Sequence, residues 1–297
     1  MRTKNLFIMA TFAIALAGCN NSEIVNGNSQ FSDIVLNATA GVESEAPQSR
    51  VLGTSWEADD VIGIFQLQGA TVLNANSKYV SSGTSSFTPA GASETIYFPV
   101  EISPKSDFIA YYPYMAGQTG FDYVVDVTSQ SNQEAIDLLT ADKVVGKDKT
   151  APAVAFNFKH RLSKLSLTLT AGNGLTAGDL AGITVKITGQ KPTATFNINT
   201  AVLTPSGAVQ TITLNTVADG TTADAIILPA AESAGRQLTF TLSIGDTFVW
   251  NIPDAKVFNA GEKNIYNITL NRTSIEVTSS ITDWAAGNGS GESGSAE

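Results

Sequence analysis

The 297-residue chain holds one cysteine and one histidine, and their positions limit the chemistry open to it. Cys19 follows the basic residues Arg2 and Lys4, the apolar run Leu6 to Leu16, and the small residues Ala17 and Gly18. This is the layout of a signal peptide. The run is too short to span a bilayer. Leu16-Ala17-Gly18-Cys19 resembles a lipobox, in which the thiol is lipidated, the chain is cut before it and the new N-terminus is acylated. On that reading residues 1–18 are a lipoprotein signal peptide and Cys19 is an anchor, not a nucleophile. The other reading is an ordinary secretory signal with a chance cysteine. Triacylation supplies more than the two membrane signals that stable anchoring takes.

A single histidine excludes a histidine metal cage and a two-histidine proton relay. His160 falls in phase with Phe156 and Phe158, so it reads as a core or sheet-rim residue rather than the base of a triad. The tightest acidic groups, Asp59-Asp60 and Glu43/Glu45, lie in polar, turn-like segments, where a solvated surface is the usual explanation. Calcium at Asp59-Asp60 has no supporting loop pattern, and no glycine loop for phosphate is present. We therefore assign no catalytic residue, no metal site and no cofactor. Trp56 and Tyr111, Tyr112 and Tyr114 around Pro113 are either a sugar-stacking platform or, as we favour, the closure of a core.

With residues 1–18 gone, about 279 residues remain, ample for two domains. The formal charge moves from −10 to −12, because 15 basic residues then face 27 acidic ones. So acidic a chain repels phosphate backbones, which argues against nucleic acid as a partner. With no second cysteine there is no internal disulfide, and stability must come from packing and sheet pairing.

The elements that must position these residues are strands. After a polar tether at 20–30, short alternating apolar and Thr/Ser runs are broken by Gly, Pro, Asn and Asp throughout. Ile96, Phe98 and Val100 share a face, as do Ile183, Val185 and Ile187; Leu238, Phe240, Leu242 and Ile244; Phe248, Trp250 and Ile252; and Tyr266, Ile268 and Leu270. The pattern predicts an all-β chain of two tandem antiparallel β-sandwich domains with at most one or two short helices. The one helix candidate is 132–145, with room for a turn or two. Along 153–170 the apolar parity slips near Ser163-Lys164, which a β-bulge or a crossing between sheets would explain. Gly189 and Pro192 suggest a division near 190, giving domains at 51–190 and 191–284. The Gly/Ser-rich residues 285–297 read as a disordered tail.

The segments "SRVLGTSWEADDVIGIF" (49–65), "FIAYYPY" (108–114), "DLLTADKVV" (137–145), "FNFKHRLSKLSLTL" (156–169) and "ITDWAAGNG" (281–289), in this order and spacing, resemble the fimbrillin-like lipoproteins of Bacteroides-type bacteria, subunits of type V pili. With the lipobox, the resemblance runs from Cys19 to Trp284. That family usually has Gly-Asp where this chain has Asp59-Asp60. The resemblance implies two β-sandwiches of transthyretin-like, Greek-key type, export as an outer-membrane lipoprotein and assembly at the cell surface after proteolysis. A trypsin-like protease would cut after a basic residue, remove the first strand, and leave a groove for a strand from a neighbouring subunit.

The parts for that scheme are present. Residues 32–41 form a plausible removable strand with Ile34, Leu36 and Ala38 on one face, inside a 19–50 segment of tether and first strand. Arg50 is the only basic residue between Lys4 and Lys78, so cleavage between Arg50 and Val51 would release lipid, tether and strand together. Ile275, Val277 and Ile281 are in phase and suit a donor strand; the alternative is a permanent last strand of the second domain. The leading expectation is a fimbrial subunit working by adhesion and polymerisation with other subunits, able to meet a host or bacterial surface ligand. The alternative is a tethered glycan-binding surface lipoprotein.

Overall fold

The computed structural model describes residues 30–43, 56–231, 234–272, 275–283 and 291–296. Cys19, Arg50 and Val51 lie outside them, as do the expected signal peptide, the expected tether and residues 44–55.

The chain is all-β, as its alternation predicts. Its first part comprises β1 (Phe31–Val35), β2 (Asn37–Val42), β3 (Ala58–Gln68), β4 (Thr71–Ser82), β5 (Ser86–Pro89), β6 (Tyr97–Pro99), β7 (Ser106–Tyr112), β8 (Asp122–Asp126), β9 (Leu139–Ala141), β10 (Val144–Lys147) and β11 (Ala153–His160). The second part comprises β12 (Ser163–Ala171), β13 (Thr184–Gln190), β14 (Thr193–Asn197), β15 (Val202–Ser206), β16 (Gln210–Thr213), β17 (Asn215–Thr216), β18 (Thr222–Ile227), β19 (Gln237–Thr241), β20 (Thr247–Asn251), β21 (Glu262–Leu270), β22 (Ile275–Asp283) and β23 (Gly291–Ala296).

The N-terminal sheet runs β10-β7-β3-β4-β5-β2-β11-β9, and β9 also pairs with β7. Tyr111 faces Thr140 and Tyr112 faces Leu139, so the sheet closes into a ring from β7 round to β9, with β10 appended to β7. Closure is a way of leaving no edge exposed. β2 is one stave of that ring, and β1 pairs with β6 as a separate ribbon beside it.

The C-terminal unit packs the sheet β17-β18-β12-β21-β22-β23 against β16-β13-β19-β20, with β15-β14-β8 alongside. Alternation supplies its core: Leu165, Leu167 and Leu169 from β12, Val185 and Ile187 from β13, Phe240 from β19, and Tyr266, Ile268 and Leu270 from β21 are all buried. The period-two faces fail only where the strands end. Val100 and Ile244 are exposed, the first just past β6 and the second in the turn before β20.

The parity slip near Ser163 is a crossing between sheets, one of its two expected explanations: β11 belongs to the first sheet and β12 to another. Pro192 lies between β13 and β14, where the chain again passes from one sheet to another. Residues 132–145 form one turn closed by the Asp137 amide on the Gln133 carbonyl (3.0 Å), then β9 and β10. Burial decides this, because Leu138 through Ala141 are all buried and β9 bridges β7 and β11, while a helix this short has little stability of its own. Finally, residues 291–296 of the supposed disordered tail form β23, six residues paired along β22. A backbone ladder needs no bulky side chains, which composition alone did not reveal.

Candidate functional site

The removable strand of the sequence reading is the stave β2. It lies parallel to β11 over six residue pairs, from Asn37 opposite Ala153 to Val42 opposite Phe158. On its other side it runs antiparallel to β5, with Ala38 opposite Phe87 and Thr39 opposite Ser86. Three flanking bonds extend these ladders: the Asn37 amide donates to Pro152 O (3.1 Å), the Ala40 amide to Ser85 O (2.7 Å), and the Glu43 amide to Phe158 O (2.8 Å).

The inward face corrects the expected one. Leu36, Ala38 and Ala40 are 4%, 1% and 1% exposed, while Ile34 is 41% exposed on the ribbon β1. The chain changes partner between β1 and β2, where the Leu36 amide donates to Ile96 O (2.9 Å), so strict alternation does not carry through from 34 to 36. Ala40 takes the third inward place.

Small residues on β2 are matched by large ones beneath it. Trp56 stands edge-on to Phe87, Phe158 and Tyr112, with centroids 5.1, 5.0 and 5.5 Å apart. Its Nε1–H donates to the Ala40 carbonyl at 2.9 Å, tying the start of the body to the stave. The sequence reading did not foresee this bond; the pattern Ala38-x-Ala40-Gly41 beside so many aromatics was its only trace.

Asp60 holds the chain beside Trp56. Its carboxylate accepts from the Glu57 amide (2.7 Å) and from the Tyr112 hydroxyl (3.3 Å). Burial pushes the Asp60 carboxyl up, and burial followed by the Asp60 charge pushes the Tyr112 phenol well above its ordinary value. Asp59 has a φ of +70°, a conformation that glycine adopts freely and aspartate tolerates. That accounts for Asp59 standing where the resembling family has glycine. Glu43, at the end of β2, pairs with Lys159 at 3.5 Å.

The remaining candidates resolve as core. His160 is buried with Nδ1 3.0 Å from the Asp137 carboxylate. Trp56, Tyr111 and Tyr112 are buried and Tyr114 half-buried, so they close the core and leave no flat aromatic platform. Among the described residues no group of three or more His, Cys, Asp or Glu converges on one point. Ile275, Val277 and Ile281 lie on β22, which pairs with β21 over nine residues and with β23 on its other side. Val277 is buried in the second core.

The fold is that of an all-β protein of two β units, with the N-terminal strand β2 built into the closed sheet of the first. The family model described as fimbrillin-like matches residues 49–284, and the chain belongs to that family, a fimbrial and cell-adhesion family rather than an enzyme family. A Bacteroides uniformis protein provisionally named fimbrium subunit Fim1C is 43% identical over 312 residues, covering all of both chains. A crystal structure of a cell adhesion protein, so described provisionally, from the same organism has a TM-score of 0.75 at 43% identity, covering 85% of this chain and 98% of that one. A second such structure, from Bacteroides ovatus, shares the fold with a TM-score of 0.67 at 20% identity, over 87% and 99% of the two chains. The chain is thus a cell-surface appendage subunit.

Proposed function

We propose that this subunit is exported as a lipoprotein through Cys19, held at the outer membrane, and activated for assembly by cleavage between Arg50 and Val51. The observation that carries this reading is the position of β2, an interior stave of a closed sheet. It joins the rest of that sheet only through the stretch containing Arg50. Cleavage there leaves β1 and β2 held by noncovalent bonds alone. Their departure opens three unpaired strand edges, on β5, β11 and β6, and empties the places of Leu36, Ala38 and Ala40. Exposed main-chain groups over apolar pockets are what a complementary strand binds. A neighbouring subunit supplies it, and in return this chain offers its C-terminal strand, with Ile275, Val277 and Ile281 alternating along it.

The test is the N-terminus and mass of the protein taken from its native cell surface. A chain beginning at Val51 within a high-mass polymer is the expected result. A monomer beginning at acylated Cys19 would overturn assembly by cleavage and leave a tethered surface protein.

A further inference from the structure

The slot under β2 has a shape that can be read from its present occupant. Its inward positions are, in chain order, Leu36 just before β2 and then Ala38 and Ala40, which lie opposite Val154 and Phe156 of β11, all buried. Ala38 sits opposite Phe87 and Val154, and Ala40 opposite Phe156, with the Trp56 indole bonded to the Ala40 carbonyl. Leu36, Ala38, Ala40, Trp56, Phe87, Val154, Phe156 and Phe158 form one packed cluster. Interiors of this density tolerate added methylenes poorly.

We infer that the slot selects a strand running parallel to β11 with a Leu-sized residue followed, two and four positions on, by Ala-sized ones, and that this strand comes from a different polypeptide rather than a second copy of this chain. The inference rests on the strand-exchange reading above. It follows from setting the chain's own C-terminal sequence against the slot. The triplet Ile275-x-Val277-x-Ser279 puts valine in the place of Ala38, and Val277-x-Ser279-x-Ile281 puts isoleucine in the place of Ala40, against Trp56. The other parity of β22 puts Glu276 or Thr278 in the leucine place. β23 offers glycine or glutamate there, in Gly291-x-Ser293-x-Ser295 and Glu292-x-Gly294-x-Ala296. None of these has the large-small-small order. A chain whose own donor fits its own slot would form a homopolymer; this one is built to sit next to something else.

The experiment uses the full chain cut after Arg50, with the released segment displaced by labelled synthetic peptides. One peptide spans 30–43, two carry A38V or A40V in that sequence, and one spans 273–284. The 30–43 peptide is expected to bind stably, and the A40V and 273–284 peptides about tenfold or more weakly. Equal binding by the 273–284 peptide, or by both valine variants, would overturn the inference while leaving strand exchange standing. Failure of the 30–43 peptide itself to bind a cut chain that keeps its β circular dichroism would overturn the strand-exchange reading instead.

Discussion

At the scale of single residues, Trp56 holds the stave from outside it. The indole N–H is buried and has the Ala40 carbonyl as its acceptor, while the ring fills the space that alanines at 38 and 40 leave. Replacing it with phenylalanine keeps an aromatic ring, removes the donor and shrinks the contact with Phe87 and Phe158. We expect Trp56→Phe to lower stability by about 1–3 kcal/mol, read as a lower urea midpoint with an unchanged slope. The same variant should bind the 30–43 peptide more weakly after cleavage, because the bond it lacks is one made to the strand. Of this site, the inward-facing Leu36 and Ala38 were legible in the sequence, since alternation is a local property. Ala40 and Trp56 were not read as partners, because a bond between residues sixteen apart in sequence leaves no periodic trace.

At the scale of elements, one link between the segment after β8 and the strand β18 is made by a side chain imitating a strand. Gln130 is buried; its Nε2 donates to Ile226 O (2.9 Å) and to Val127 O (2.6 Å), and its Oε1 accepts from the Ile226 amide (2.8 Å). It completes the ladder of β18 where no neighbouring strand does. Gln130→Ala leaves both the amide and the carbonyl of Ile226 short of a partner, at a cost of roughly 2–5 kcal/mol. Faster hydrogen exchange of the Ile226 amide than of its β18 neighbours would check the local origin of that loss. Strands were legible wherever one face is buried and the other wet, as along β13 and β21. They were hidden at β9 and β23: the first is three residues long in a segment of helical composition, and the second pairs through glycine and serine. The passage between sheets at Arg161–Leu162 left no breaker signal, because those two residues include neither glycine nor proline.

At the scale of the whole molecule, the two units share strands' faces rather than merely a linker. On β3 and β7, Ile62, Ile64, Phe108, Ala110 and Tyr112 enter the core that holds β2, while Phe65, Leu67, Ile109 and Tyr111 face the larger core that continues into the C-terminal sandwich. Phe65 stands 5.3 Å from Phe121 and Tyr111 5.4 Å from Tyr123, bridging to β8 and its partner β14. We therefore expect one cooperative thermal transition, with calorimetric and van't Hoff enthalpies agreeing; two separated transitions would mean that the cores fold independently. The closure of the first sheet has a consequence for when such a subunit becomes sociable. As long as its own stave is covalently in place, any competing strand must act against an intramolecular rival whose effective concentration no crowd of neighbours can match. Under the reading proposed here, assembly is then timed by a cut and not by abundance, and a cell can stockpile subunits without their joining early.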